Sequence, residues 1–320
     1  MDKRKIVLIG SGNIGRRYLE GIAKIKDKLD IIVVDPDVKS LELAKHQWFK
    51  AGGEESCHQI KYVKKLETNN LIVELVIIAT NSFNRIKVIT EVALKTKPNY
   101  WILEKLLVQC KDDLEIVKLQ TVNAKNVWVN ISRRSMIWFQ QLKKQFYGRG
   151  HLHCTLNGGL WEMACCAIHY IDLITFWTGE FVTFIDNKGL DKSWLKSKRP
   201  GFFEITGELI VKFSGGSELI LQSHNHVSQN ILSIKLENND VWLIDEIKGT
   251  ATSSRGYILN GRLEYQSEIA ETVIKKILIK GTCELPTLKE SSKQHAIFLD
   301  IMLKHWNYSN NCNDKLVPIT

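Results

Sequence analysis

Short apolar runs alternate with helical-period stretches over the first third of the chain. Ile6-Val7-Leu8-Ile9 is closed by glycine, and Ile31-Ile32-Val33-Val34 is closed by Asp35-Pro36. Leu75-Val76-Ile77-Ile78-Ala79, Tyr100 to Leu103 and Val127 to Val129 repeat the pattern. Between the first two runs, Ile14, Tyr18, Ile22 and Ile25 recur three or four residues apart, which predicts a helix from Ile14 to Lys26. Further helices are predicted over Val38 to Phe49, Asn84 to Lys95 and Asp112 to Val122. Strands that are apolar at every position are buried on both faces. The pattern therefore predicts an α/β domain with a parallel sheet covered by helices on both sides.

The pattern changes after about residue 130. Ser135 to Phe146 and Met163 to Phe176 read as helices, and the second is apolar at nearly every site. From Phe181 to about Leu263 the chain is strand-rich, with turn signals at Ser214-Gly215-Gly216, Asn238-Asn239-Asp240 and Asn260-Gly261. Hairpin-length spacing predicts a mainly antiparallel sheet. Helices over Glu268 to Ile279 and Leu288 to Trp306 follow. Two domains are expected, residues 1–127 and 128–320, the second an α+β domain with an open sheet.

Composition narrows the function classes. The 320 residues are 44% hydrophobic and 25% charged, which excludes disorder as the state of the whole chain. The net charge of +9 raises the question of nucleic acid. Residues 1–120 carry +5 of it and the remainder +4, and the basic runs are as short as Lys3-Arg4-Lys5 and Arg16-Arg17. Charge spread this evenly reads as a solvated surface, so no nucleic-acid partner is expected. The seven cysteines are odd in number and none has C-x-x-C spacing. The chain begins Met1-Asp2-Lys3-Arg4-Lys5, its first apolar run is too short for a signal peptide, and no run is long enough to span a membrane. A reducing cytoplasm with no membrane partner is the expected setting. His151-x-His153 and His224-x-His226 each put two imidazoles on one strand face, but no third ligand has suitable spacing, so no metal is expected. The vicinal pair Cys165-Cys166 reads as buried helix filling.

Gly10-Ser11-Gly12-Asn13-Ile14-Gly15 is a G-x-G-x-x-G that directly follows a strand and opens a helix, the context a dinucleotide cradle requires. Gly10 permits the tight turn, Gly12 lets backbone approach a pyrophosphate, and Gly15 lets helix and strand pack closely. The helix start supplies unpaired N–H groups and partial positive charge. Asp35 ends the second strand 20 residues after Gly15. A carboxylate there accepts from both ribose hydroxyls and repels a 2′-phosphate, which favours NAD over NADP. Ala79-Thr80-Asn81 follows the fourth strand, where Thr80 and Asn81 could donate to the cofactor or cap the next helix.

Glu104-Lys105-Leu106 follows the fifth strand, again at the carboxyl edge. A lysine there can exchange a proton with a substrate hydroxyl; equally, it can be an exposed loop cation. His169 and Asp172 lie three apart on the apolar helix and share a side of it. A buried aspartate orients an imidazole, and a core histidine is the plainer alternative. Trp161 and Trp138 could flank a sugar ring.

These residues resemble the glucose–fructose oxidoreductase / inositol dehydrogenase (Gfo/Idh/MocA) family over essentially the whole chain. Gly10 to Gly15, Asp35, Ala79-Thr80, Glu104-Lys105 and His169-Tyr170-Ile171-Asp172-Leu173 carry the resemblance. Asn130 to Lys143, with Arg133-Arg134 near its start, and Leu285-Pro286-Thr287 extend it. The resemblance implies an N-terminal Rossmann doubly wound domain that binds NAD through Gly10, Gly12, Asn13, Ile14, Gly15, Asp35, Thr80, Asn81 and Glu104. It implies a second domain for substrate binding and for assembly into a homodimer or homotetramer through its sheet. Lys105 is then the general acid/base and His169 its partner or a substrate ligand, with Arg133, Arg134, Trp161 and Asp172 on the substrate side. The implied reaction moves a hydride between nicotinamide and a hydroxyl or keto carbon of a sugar, polyol or nucleotide-activated sugar, with a place in surface-polysaccharide biosynthesis. Lys105, Arg133 and Arg134 together point to an anionic small molecule.

Two departures stand out. Leu106 replaces the proline usual in the family's E-K-P. If that backbone is cis, a non-proline residue disfavours it, and the loop would relax and move Lys105. Cys165 stands four residues before His169, where many family dehydrogenases have a catalytic aspartate. Cysteine supplies no stable negative charge unless its pKa is lowered, and Glu162 lies a helical turn away. The alternative is a catalytically impaired NAD-binding regulator or sensor of the same fold.

Overall fold

The structure is a computed structural model that describes residues 4–320; the opening Met1-Asp2-Lys3 lies outside the described residues. The chain divides into two compact units. One comprises residues up to Val108, Asp113–Ser135 and Glu264–Leu288, and the other Gln109–Asp112, Met136–Leu263 and Lys289–Thr320. Neither unit is one continuous stretch of sequence.

The first unit runs β1 (Arg4–Ile9), α1 (Asn13–Ala23), β2 (Leu29–Val34), α2 (Val38–Lys50), β3 (Gln59–Val63), β4 (Leu71–Ile78), α3 (Arg85–Lys95), β5 (Thr96–Glu104), α4 (Asp113–Gln120) and β6 (Asn126–Asn130). The six strands form one parallel sheet in the order β3-β2-β1-β4-β5-β6. The order reverses between β1 and β4. Right-handed crossovers on either side of such a point place helices on opposite faces and open a crevice at the strands' carboxyl ends. Ile6, Val7, Leu8, Val76, Ile77 and Ile102 are wholly buried, as the continuous apolar runs predict. The strand β3 is not visible as an apolar run, because it is an edge strand whose residues are exposed or half-buried.

The second unit carries α5 (Ile137–Phe146), β7 (Leu152–Gly159), α6 (Met163–Thr178), β8 (Val182–Leu190), β9 (Leu195–Lys196), β10 (Phe203–Glu204), β11 (Gly207–Phe213), β12 (Glu218–His224), β13 (Ser228–Leu236), β14 (Val241–Asp245), β15 (Thr250–Ser253) and β16 (Ile258–Asn260). The helix α7 (Gln266–Lys280) then belongs to the first unit and packs on α1, and α8 (Leu288–Asn310) closes the chain. Eight strands form an open sheet in the order β16-β15-β14-β13-β7-β12-β11-β8. It is antiparallel except for β7 with β12, which run parallel with Leu156 opposite Leu221. Ser214-Gly215-Gly216 and Asn238-Asn239-Asp240 join strands as expected, but Asn260-Gly261 ends the last strand rather than turning a hairpin.

The helix α6 buries ten of its side chains, from Met163 to Trp177, and stops at Gly179, whose φ of 81° only glycine adopts freely. Trp177 is wholly buried. Its indole N–H donates to the Phe139 carbonyl at 3.0 Å, and its ring lies 4.9 Å from that of Phe146, which meets Trp242 edge-on. This aromatic cluster joins α5, α6 and the sheet. Trp177→Ala should lower the unfolding free energy by roughly 3–5 kcal/mol, through lost burial and the cavity left behind. Trp177→Phe should cost less, because it removes mainly the N–H donor, and denaturant unfolding of the three proteins checks the order.

Candidate cofactor and catalytic site

The six residues Gly10 to Gly15 form the turn between β1 and α1 in the first unit. Gly10 has φ of +90°, and a side chain there would meet the Ala79 carbonyl at 3.0 Å. The turn is fastened to its neighbours by Gly10 N–H donating to Val34 O and Ala79 N–H donating to Ile9 O, both at 2.8 Å. A Cβ on Gly15 would lie 2.0 Å from the Gly10 carbonyl oxygen, so helix and turn close only over glycine. Gly12 caps α1 without a side-chain hydrogen bond, and nothing lies within 4 Å of the place its Cβ would take. The first N–H groups of α1 are therefore open to an anion. Asn13 is exposed and Ile14 half-buried. The Asn13 side chain accepts from Arg16 Nη2 at 2.6 Å, and Arg16 Nη1 donates to Ser11 O at 3.1 Å. Arg16 thus adds a cation to the cradle, a residue the motif alone did not single out.

Asp35 stands beside this turn. Its Oδ2 accepts from Ser11 N–H at 2.7 Å and Ser11 Oγ at 3.0 Å, while Oδ1 accepts from Asp37 N–H at 2.9 Å. Oδ2 has both lone pairs engaged, whereas Oδ1 keeps one, so a hydroxyl can still donate to it. Gly10, Gly12, Asp35, Thr80 and Asn81 line one cavity of about 550 Å³, together with Lys64 and Lys65. Five residues from three strand ends are therefore brought to one cavity. Asn81 Oδ1 accepts from Phe83 N–H at 3.2 Å, whereas the cap residue of α3 is Asn84. The helix-capping alternative for Thr80 and Asn81 is thus not the arrangement seen.

Glu104 and Lys105 end β5 and open the adjoining loop. The Lys105–Leu106 peptide is cis, with leucine at residue 106. Leu106, Leu107 and Val108 are wholly buried. Arg85 is buried in the first turn of α3 and donates to the carbonyls of Thr80, Glu104 and Leu106. One guanidinium therefore ties the loop carrying Thr80 to the loop carrying Lys105. The Glu104 carboxylate is turned inward and accepts from Tyr18 Oη at 2.9 Å and Asn130 Nδ2 at 2.6 Å. It does not line the cavity that holds Asp35. Burial raises the Glu104 pKa, against the opposing pull of the two donors and of the Arg85 and Lys105 charges. Burial first, and the Glu104 charge second, push the Tyr18 phenol well above its usual value. Lys105 is half-buried.

The remaining candidates fall on both units. Arg133 and Arg134 lie in the 3₁₀ turn Ser132–Ser135 of the first, where Arg134 is buried and Arg133 half-buried. Trp161, His169 and Asp172 lie in the second, on α6 and the approach to it. His169 is half-buried and Asp172 wholly buried. Trp161 is 8% exposed, donates its indole N–H to Gln222 O at 2.9 Å, and meets Tyr170 edge-on. Trp138 is likewise buried and donates to Leu259 O. Cys165 and Cys166 are half-buried in the first turn of α6 rather than sunk in the core. Glu204, which no sequence signal singled out, reaches over from β10, and its Oε2 accepts from the Cys165 N–H at 3.3 Å. Burial, then the neighbouring Cys165, push the Glu204 carboxyl up to about 8. The two histidine pairs are occupied otherwise: His151 pairs with Glu237 at 2.6 Å, and His224 stacks on His226.

No protein-family model and no curated protein matches this sequence. Solved structures do match. A probable dehydrogenase from Thermotoga maritima is 18% identical, over 95% of this chain and 97% of that one, with a TM-score of 0.67. The UDP-N-acetylglucosamine 3-dehydrogenase of Acidithiobacillus ferrooxidans is 12% identical, over 97% of this chain and 100% of that one, also at 0.67. The scyllo-inositol dehydrogenase of Lactobacillus casei, solved with NAD(H) and scyllo-inositol, is 14% identical over 93% and 95% of the two chains, at 0.63.

Two outcomes test the supports of this site. Arg85→Ala leaves three backbone carbonyls without their donor and should cost roughly 3 kcal/mol of stability, read from denaturant unfolding. Glu104 has its pKa raised by folding, so the folded state holds the proton more tightly than the unfolded one. Its stabilising contribution is complete below the ordinary carboxylate value of about 4.3 and is lost as pH rises through the raised value. Glu104→Gln should therefore flatten the fall in the urea midpoint as pH rises above about 4.3. With parallel and mainly antiparallel sheets in its two units, the chain has the fold of these dehydrogenases, the fold that the Gfo/Idh/MocA resemblance implies.

Proposed function

We propose that this chain is a member of that family and an NAD-dependent oxidoreductase acting on CH–OH groups. The observation that carries this reading is the Gly10–Gly15 cradle opening on one cavity with Asp35, Thr80 and Asn81. Gly12 and the start of α1 would hold the pyrophosphate, with Arg16 beside it, and Asp35 would hold the adenosine ribose. When bound, the nicotinamide accepts or supplies the hydride. Lys105 takes the proton from the substrate hydroxyl during oxidation and returns it during reduction. Tyr18, Asn130 and Arg85 hold the loop from which Lys105 projects. His169 is its partner or a substrate ligand, and Arg133, Arg134, Trp161 and Asp172 serve the substrate. Their cations favour an anionic sugar, polyol or nucleotide-activated sugar. A role in surface-polysaccharide biosynthesis follows from that substrate class.

NAD is preferred over NADP because the Asp35 carboxylate repels a 2′-phosphate. Lys64 and Lys65 line the same cavity, so Asp35→Ser should swing preference toward NADP. The units correspond to a cofactor domain and a substrate domain. The sheet of the latter supports assembly as a homodimer or homotetramer, since Phe184, Leu243 and Ile258 on its strands expose more than two-fifths of their surface. None of the seven cysteines is in a disulfide, which fits a reducing cytoplasm. Among the described residues, no helix is long and apolar enough to cross a membrane.

The test is direct. The purified chain should bind NADH and oxidise it with at least one member of a panel of keto-sugars and nucleotide keto-sugars. Lys105→Met should keep NADH affinity and lose about 10²–10⁴-fold in kcat. The sensor reading is favoured by Cys165 at the aspartate position. It predicts NADH binding without turnover on any substrate, and a Lys105→Met protein indistinguishable from the parent.

A further inference from the structure

The approach to α6 bends sharply. Leu160 and Glu162 both adopt left-handed backbone, with φ of 51° and 61°. The Glu162 carbonyl accepts from the N–H groups of Cys165 at 3.1 Å and Cys166 at 2.8 Å. Residues three and four apart on a helical turn are neighbours, so Glu162 reaches both cysteines although these are adjacent in sequence. The Glu162 carboxylate and the two sulfurs lie within 4.8 Å of one another, and all three side chains are half-buried. A cavity of about 210 Å³ adjoins Glu162, and Glu204, Ser197, Lys198 and Ser223 are among its other walls. Glu204 touches the Cys165 backbone, and the cation paired with Glu162 is Lys198, at 2.8 Å and with 90% of its side chain exposed.

We propose that Cys165, Cys166 and Glu162 form a binding site for a thiophilic divalent cation of the zinc and cadmium type, with a water in the fourth position on the side of Glu204. Two thiolates select a soft cation and disfavour Mg²⁺ and Ca²⁺, which take all-oxygen shells. On binding, each thiol loses its proton to solvent as its sulfur bonds the metal, and Glu162 exchanges the Lys198 ammonium for the ion. A tetrahedral shell with bonds of about 2.0–2.3 Å needs ligand atoms roughly 3.3–3.8 Å apart. Side-chain movements of about 1 Å therefore close the site. Lys198 is solvated where it stands, and releasing an exposed ion pair costs little. The site lies within the second unit and does not rest on the cofactor reading.

The reduced, metal-free full chain should take up one Cd²⁺ with thiolate-to-metal charge-transfer absorption in the ultraviolet. Cys165→Ser and Cys166→Ser should each abolish that band, Glu162→Gln should weaken affinity at least about tenfold, and Cys57→Ser should change nothing. In the unaltered chain, Zn²⁺ should protect Cys165 and Cys166 from alkylation by iodoacetamide, as read by peptide mass. A Cd²⁺ band that survives the double Cys165→Ser, Cys166→Ser change overturns the proposal. So does alkylation of both residues at the metal-free rate in the presence of Zn²⁺.

Discussion

The Arg85 guanidinium is the buried charge on which the carboxyl edge of the parallel sheet depends. It sits 1% exposed and donates to carbonyls of Thr80 on one loop and of Glu104 and Leu106 on another, which α3 and β5 separate in sequence. A buried cation is tolerable only when it is well hydrogen-bonded, and backbone carbonyls accept from both of its Nη nitrogens here. The result is reciprocal. The loops cannot drift without exposing the charge, and the charge cannot leave without orphaning the carbonyls. Glu104 continues the arrangement from the same strand end, bonding Tyr18 on α1 and Asn130 at the end of β6. The strand ends β4, β5 and β6 and the helix α1 are thereby joined at the edge from which Lys105 projects.

The cradle depends on the opposite kind of constraint. There the essential feature is the absence of side chains. Gly15 lets the Gly10 carbonyl approach, and Gly12 leaves the first turn of α1 uncovered. Asp35 closes the ring by taking the Ser11 N–H and hydroxyl, so the β1 and β2 ends are locked to each other. Polar groups that would otherwise be unpaired at a loop are used to fix its shape, while the outward N–H groups remain for an anion.

At the start of α6 the chain departs most from the pattern it resembles. A carboxylate is expected one turn before His169, and Cys165 stands there instead. Carboxylates do come close, Glu162 from the preceding bend and Glu204 from β10, together with the second thiol of Cys166. The region thus gathers acidic and thiol groups around one exposed ammonium, an environment suited to a soft cation.

Reading the sequence alone determined the parallel and mainly antiparallel sheets, the cradle and its partner Asp35. Each is written in local periodicity or in one contiguous motif, where hydrophobic burial and glycine geometry leave few alternatives. The positions of Thr80, Asn81 and Lys105 at the carboxyl edge were legible for the same reason, since each lies just after an apolar strand. The tertiary structure decided what distant side chains do. It brought α7 back to the first unit and placed β7 parallel to β12. It turned Glu104 inward, made Arg85 the tie between two loops, and set Glu204 beside Cys165, 39 residues away in sequence. Such pairings depend on which strands become neighbours. A buried arginine or glutamate reads along the chain like any surface charge until its partners surround it.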